Sequence, residues 1–324
     1  MKKFIIITTI NQKTKAVKKF SRMLKDWHIV LVGDKKSKTI KNENNITFLS
    51  INDQKKLSLK TADICPYNHY ARKNIGYLYA IKSGADMIYD TDDDNIPYND
   101  WKFPDFKYNK CLTSEKQFIN IYKYFTDADI WPRGYPLDAI RVKGKTKKNT
   151  RNIKVGIWQG LADIDPDVDA IFRLTTDKKI IFNRNKPIVL GKNTYCPFNS
   201  QNTLWHKDSF ALLYLPSTVS FRFTDILRGY IAQRLLWENN RYLGFTKASV
   251  YQERNPHNLM KDFKDELECY LNVRSIIEIM DCANFNADYL ASLKKIYTIL
   301  EKHGIVTKVE LKRLSGWIYD IKNN

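Results

Sequence analysis

Cysteine is sparse and scattered in this chain. The five residues, Cys65, Cys111, Cys196, Cys269 and Cys282, are odd in number and form neither a CxxC pair nor a metal-ligand spacing. No disulfide framework is implied, and reduced thiols in a cytoplasmic protein are expected. A stretch of about 20 apolar residues is also lacking, which excludes an ordinary membrane-spanning helix. Met1-Lys2-Lys3 and the apolar residues 4–9 look superficially like the front of a signal peptide. The run is too short, and the Lys-rich amphipathic segment after it favours a first buried strand. Internal repeats and RNA-recognition or helix-turn-helix signatures are absent, and only residues 141–154 approach low complexity. Acidic charge is in deficit: 54 Lys plus Arg face 35 Asp plus Glu, a net charge of +19. Such an excess attracts polyanions. Nucleic acid, an anionic membrane face carrying a lipid-linked acceptor and a phosphate-rich small substrate all answer to it, and compositional bias of the source genome accounts for part of it.

With 324 residues, 43% hydrophobic and 13% aromatic, the chain can bury one large domain plus a smaller appendage. Residues 4–9 form a β-rich run, 14–27 carry helical spacing, and 28–32 form a second apolar run ended by Gly33-Asp34. A third short strand is expected at 46–50, a helix at 68–83 closed by Gly84, and a fourth strand at 86–89. This alternation predicts an α/β fold, a parallel sheet with helices on both faces, whose ligands bind beyond the carboxyl ends of the strands. The middle of the chain is harder to parse, with short strands expected at 155–158, 170–175 and 179–182 and a helix at 225–237. From about 257 the pattern is helical: 259–280, then 287–303 with Asn286 as N-cap and Gly304 as stop, then a helix from Thr307 with a Thr307/Glu310 capping box. The expected organisation is a catalytic domain over 1–256 and a helical region over 257–324.

The fourth strand leads directly into Asp90-Thr91-Asp92-Asp93-Asp94-Asn95. Carboxylates this close raise one another's pKa and call for a positive charge among them. Hard cations such as Mn²⁺ or Mg²⁺ prefer carboxylate oxygens and keep positions open for water and phosphate. The competing reading is a solvated acidic turn. Upstream, Arg72, Lys73 and Asn74 gather at a helix start, where the dipole already favours an anion, and a diphosphate would supply it.

The run ARKNIGYLYAIKSGADMIYDTDDDN resembles the segment of GT-A glycosyltransferases in which an Arg-x-Asn-x-Gly helix precedes a strand ending in the DxD motif. It resembles more closely the STELLO glycosyltransferases, and more distantly the reversibly glycosylated polypeptides, which are UDP-arabinopyranose mutases. The likeness continues through WPRGYPLDAI (131–140), VGIWQGLADIDPDVDAIFRL (155–174) and FRFTDILRGYIAQRLLW (221–237), covering residues 1 to about 260. It implies a GT-A fold, Rossmann-like, with a mixed, mostly parallel sheet flanked by helices and a C-terminal helical extension. Asp92 and Asp94 match the DxD carboxylates, with Asp93 between them. Thr8, Thr9, Asn11 and Asp34 follow the first two strands, where this fold commonly holds the base and ribose. Asp225 matches the general base of inverting enzymes, and an N-cap is its plainer role. Arg228, one turn later, pairs with Asp225 or reaches the donor phosphate. His257 stands where many relatives complete the metal shell. Trp131, Arg133, Trp158 and Gln159 suit a sugar cleft or a core, and the alternating Asp163, Asp165, Asp167 and Asp169 suit a sugar-contacting loop or a solvated turn.

The implied activity is metal-dependent transfer of a sugar from a nucleotide-sugar donor to a glycan or lipid-linked saccharide acceptor, in bacterial surface polysaccharide assembly. The expected setting is cytoplasmic, peripheral to an anionic membrane, without nucleic acid. Two rivals stand beside it: a nucleotide-sugar mutase glycosylated reversibly on Arg133, and a polyanion-binding protein with a vestigial acidic motif.

Overall fold

The protein is described from a computed structural model that covers residues 1–142, 144–176, 178–253 and 258–323. His257 lies outside the described residues. The chain opens as β1 (Lys3–Thr8), α1 (Lys15–Met23), β2 (Trp27–Val32), β3 (Ile46–Leu49), α2 (Ile51–Lys56), α3 (Lys60–Ile64), α4 (Lys73–Lys82) and β4 (Met87–Thr91). The middle adds β5 (Asn95–Pro97), β6 (Lys107–Ser114), β7 (Thr146–Asp163), α5 (Ala170–Thr175), β8 (Ile188–Val189) and β9 (Asn202–His206). It closes with α6 (Thr224–Leu236), β10 (Arg241–Gln252), α7 (Leu259–Cys282), α8 (Tyr289–Lys302) and α9 (Lys308–Lys322).

The strands form one mixed sheet in the order β3-β2-β1-β4-β9-β7-β10-β5, with β6 on β7 and β8 on β10. β1, β2, β3 and β4 pair in parallel, as does β7 with β10, while β9 runs antiparallel between β4 and β7. Ile5, Ile6 and Ile7, like residues 29–31, are wholly buried. A parallel strand covered on both faces reads as a continuous apolar run, which is why these segments lack alternation. Gly76 of α4 lets the helix lie directly on the sheet, since a Cβ there would stand 2.5 Å from Val32 and 2.7 Å from Ile6. The expected α/β architecture, a mixed sheet flanked by helices with a helical C-terminal region, is the observed one.

Several boundaries differ from the sequence reading. Residues 70–72 form a separate 3-10 turn before α4, after Asn68 adopts a positive φ of 51°. Residues 170–175, expected as a strand, are the helix α5, because the Asp169 carboxylate accepts the Phe172 N–H and caps it. The expected strand at 179–182 is reduced to a single bridge between Ile164 and Ile180. α8 is capped by Asp288 rather than Asn286, whose side chain accepts the Asp288 N–H instead. Thr307 makes no side-chain cap, because Glu310 turns inward.

That inward turn shows how the C-terminal helices are held. Val273, Ile276, Leu293, Ile296, Leu314 and Trp317 belong to the same buried cluster as the sheet residues. Three buried carboxylates fasten them. Glu266 of α7 accepts the Ala170 N–H, Glu310 of α9 accepts the Tyr214 hydroxyl and the Ser217 N–H, and Asp320 accepts the N–H groups of Lys60 and Thr61 at the start of α3. Among the described residues, no helix is long and apolar enough to cross a membrane. All five cysteines are free, four of them buried.

Glu310→Ala would strand the Tyr214 hydroxyl and the Ser217 amide in the interior, which is expected to destabilise the fold by about 3 kcal/mol. The check is a denaturant titration, in which the midpoint falls while the slope is kept; an unchanged midpoint would refute a fastening role for Glu310.

Candidate active site

β1 has β2 on one side and β4 on the other, so the chain reverses its direction of travel across the sheet between β1 and β4. A crevice beyond the carboxyl ends of such strands is where open α/β sheets bind ligands. Two adjoining hollows occupy that place, of about 250 and 400 Å³, sharing Thr8, Tyr70, Asp93 and Phe221. The larger is lined by Thr9, Asn11, Gly33, Asp34, His69 and Arg72. The smaller has Asp92, Asp93 and Asp94 on one wall and Arg133, Asp167, Arg173, Arg222 and Asp225 on the other.

Each carboxylate of the acidic wall is held differently. Asp92 Oδ1 accepts the Tyr70 hydroxyl at 2.9 Å and pairs with Lys73 Nζ at 3.1 Å. Asp93 accepts the Thr9 hydroxyl at 2.5 Å and the Asn11 amide at 3.2 Å. Asp94 accepts the Gln252 amide at 2.9 Å. Burial and the neighbouring Asp92 charge push the Asp94 carboxyl up to about 7, and burial raises Asp92 despite Lys73. Among the described residues, no three His, Cys, Asp or Glu side chains form a preformed metal cage. An open pair of carboxylates on a cleft, with repulsion left over, fits the way Mg²⁺ or Mn²⁺ is held by one or two carboxylates plus substrate phosphates.

Behind this wall Asp90 is fully buried between Lys73 at 2.7 Å and Arg228 at 3.0 Å. Burial opposes the Lys73 charge, but Asp90 and Asp92 outweigh it and hold the pKa above the usual lysine value. Lys73 Nζ also donates to the Thr91 carbonyl at 2.7 Å, fixing the turn into Asp92.

The opposite wall is organised by Arg133. Its five N–H groups have five acceptors: Asp167 Oδ1 from Nε and Oδ2 from Nη2, both at 2.8 Å, Asp225 Oδ1 and Oδ2 at 3.1 and 2.9 Å, and the Arg222 carbonyl. Asp225 also accepts the Ser200 N–H and its own helix's Ile226 N–H. Burial works against both charges of the pair, yet Arg133 holds the Asp167 carboxyl below its ordinary value, and the two aspartates hold the guanidinium well above its own. Gly134 makes the tight approach possible: at φ 84°, a Cβ would meet Ile226 at 2.4 Å.

The cleft gathers Thr8, Thr9, Asn11, Asp34, Asp92, Asp93, Asp94 and Asp225, as expected from the sequence. Arg72, Lys73, Asn74, Arg228 and Arg133 are revised. Arg72 borders the larger hollow, but its guanidinium is bound to Gln54 and the Cys65 carbonyl. Lys73 answers the internal anions Asp90 and Asp92, and Asn74 is bonded at both ends to the Leu215 backbone. Arg228 pairs with Asp90, not Asp225, and does not reach the cleft. Arg133, expected to be catalytic, positions Asp167 and Asp225. Trp158 is core, Gln159 accepts the Asn199 N–H and Thr203 hydroxyl, and Trp131 donates to Asp169. Of the alternating aspartates only Asp167 lines the cleft; Asp163 holds Tyr98 and Arg184, Asp165 pairs with Arg173, and Asp169 caps α5. Tyr70, Gln201, Phe221 and Gln252 were not foreseen. Tyr70 alone left a signal, lying just before the basic helix start.

The sequence pattern of the STELLO glycosyltransferases matches residues 222–323. Two Arabidopsis thaliana proteins, "Probable glycosyltransferase STELLO2" and "Probable glycosyltransferase STELLO1", are 27% and 26% identical over 98% of this chain and 44% of their own length. The chain is similar to the STELLO glycosyltransferases. It spans less than half the length of these curated STELLO relatives. A solved mycobacterial protein overlaps 84% of this chain and 74% of its own, at 8% identity and a TM-score of 0.41. The STELLO pattern contains Arg222, Asp225 and all of α7, α8 and α9, so the likeness runs beyond residue 260, where the sequence reading ended it.

Arg133→Met would leave Asp167 and Asp225 side by side without a counter-charge, and a loss of about 3–5 kcal/mol is expected at neutral pH. In the native chain the lowered Asp167 contributes stability above the ordinary carboxylate range near pH 4, lost as pH falls below it. In the variant mutual repulsion raises the carboxyls, so stability is instead lost as pH rises through them. Denaturant midpoints measured from acid to neutral pH decide; a variant following the native profile would refute the clasp.

Proposed function

We propose that the cleft transfers a sugar from a nucleoside-diphosphate donor to a hydroxyl of a glycan or lipid-linked saccharide. The observation that carries this is the meeting of Asp92, Asp93 and Asp94 with the Arg133-held Asp225 across one crevice at the reversal point of the sheet. The similarity to the STELLO glycosyltransferases supports the reaction class. The larger hollow, with Asn11 and Asp34 at the ends of β1 and β2, takes the nucleoside. The smaller takes the diphosphate and the sugar.

A divalent cation, Mn²⁺ or Mg²⁺, on Asp92 and Asp94 would neutralise the departing diphosphate. Tyr70 and Lys73 orient Asp92 for this, and Thr9 and Asn11 hold Asp93 beside it. Arg173 and Arg222 face the same space and add positive charge opposite the acidic wall. Asp225 takes the proton of the attacking hydroxyl as general base. Its oxygens accept from Arg133, Ser200 and Ile226, so the acceptor hydroxyl enters by displacing one of these donors. With the base across the crevice from the diphosphate, the reaction inverts the anomeric centre.

A mutase carrying the sugar on Arg133 needs a free, neutral guanidine nitrogen. Five occupied N–H groups and two aspartates that hold the charge work against it. Glycan assembly at an anionic membrane face, in a bacterium the surface polysaccharide, is the setting we assign given the net charge of +19.

A panel of nucleotide sugars is expected to raise the melting temperature only with Mn²⁺ or Mg²⁺, since a ligand that binds the native state stabilises it. Asp94→Ala should erase the metal-dependent part, and a shift indifferent to metal in both proteins would refute the assignment. Once a donor is found, NMR of the product should show the opposite anomer; retention would remove Asp225 as the base.

A further inference from the structure

The ribbon of β6 and the first half of β7 carries charge of one sign that the cleft does not use. Residues 107–114 and 141–154 contain no Asp or Glu. Lys107, Lys110, Lys147, Lys148 and Lys154 are all exposed. The ladder sets Lys107 directly opposite Lys154, where like charges repel. None of the five makes an ion pair with a described residue. Arg151, by contrast, donates to the Tyr242 hydroxyl and stacks on its ring.

At the far end, where Ser114 pairs with Thr146, both residues border a hollow of about 320 Å³. Phe118, Tyr124, Tyr135 and Ile140 line it, and Val142 on the same hollow is 49% exposed. Unanswered lysines beside a partly apolar hollow, with Val142 exposed on it, fit a partner that is anionic at its surface and apolar just beneath. A layer of lipid headgroups has that profile. Nucleic acid fits less well: the ribbon shows no exposed aromatic side chain for base stacking, and lysine lacks the planar fork with which arginine reads guanine and phosphate.

We propose that this ribbon docks the protein on an anionic lipid surface, its lysines on the headgroups and Val142 at the interface. The ribbon locates the membrane contact assigned above and is independent of the chemistry of the cleft.

The test is co-sedimentation with phosphatidylcholine vesicles and with equimolar phosphatidylcholine and phosphatidylglycerol vesicles. The native protein binds only the anionic ones, and salt weakens the binding. Lys107→Gln, Lys110→Gln and Lys148→Gln together weaken it on the order of a hundredfold, from roughly fivefold per lysine near the surface. A control of equal charge change in the exposed Lys302→Gln, Lys308→Gln and Lys312→Gln stays near native, and matching melting curves verify that both variants are folded. A ribbon variant that binds no worse than the control overturns the ribbon as the docking face. Binding to duplex RNA or DNA with none to vesicles overturns the lipid as its occupant. Metal-dependent stabilisation by nucleotide sugars is untouched by either result, which separates failure here from failure of the transferase reading.

Discussion

The carboxylate of Asp90 sits fully buried between Lys73 and Arg228, and both walls of the cleft depend on that contact. The three residues come from β4, α4 and α6, so one buried charge cluster fixes two helices against a strand end. Breaking such a cluster by removing one partner is strongly destabilising, because an uncompensated charge is left inside. The consequences run outward in both directions. Lys73 carries the cluster to Asp92 and the Thr91 carbonyl. Arg228 carries it to the Ser200 hydroxyl and the Asn199 carbonyl, and this loop then reaches the other wall, Asn199 donating to Asp167 and Ser200 to Asp225. The acidic wall and the Arg133 clasp are thus joined by an unbroken chain of hydrogen bonds.

This arrangement also explains how the opposed charges of the cleft can coexist. Eight acidic or basic side chains of the smaller hollow would be unstable if each relied on solvent, yet most are tied to a partner behind the wall. Asp94 has no cationic partner: its side-chain donors are the neutral amides of Gln252 and Asn95, and its carboxyl is pushed up to about 7. A charge without a cationic partner therefore faces the space assigned to the cation and diphosphate, which is where a binding site should keep its unmet demand.

Local signals were legible in the sequence, and long-range partners were not. The opening β-α-β units were readable because β1 and β2 are buried on both faces and form unbroken apolar runs, and Asp92 to Asp94 because they follow such a run directly. Arg72, Lys73 and Asn74 did announce an anion at a helix start. Sequence cannot tell whether that anion is bound or internal, and here Asp90 and Asp92 supply it from the next strand. The Arg133 clasp was hidden for a different reason: its aspartates lie 34 and 92 positions away, and nothing in the local pattern ties them together. Helix α5 was misread as a strand because a short apolar run has no period of its own, and the capping carboxylate Asp169 settled it.

The C-terminal helices looked like an appendage, but they brace the cleft from behind. Glu266 of α7 is fully buried and accepts from Arg222 Nε and Nη2 at 2.9 and 2.7 Å through one oxygen, and from the Ala170 N–H at 2.7 Å through the other. Arg222 is a cleft residue whose carbonyl receives an N–H of Arg133, and Ala170 begins the helix that follows Asp167 and Asp169. One side chain of α7 therefore grips the wall at both ends of the Arg133 clasp. Removing the helix would release Arg222, loosen the start of α5 and leave the two aspartates to find their own geometry. A boundary at residue 257 divides the chain where its helical pattern changes, whereas the contacts that hold the cleft wall run across it. The STELLO pattern, spanning 222–323, contains both partners of the Arg222–Glu266 contact.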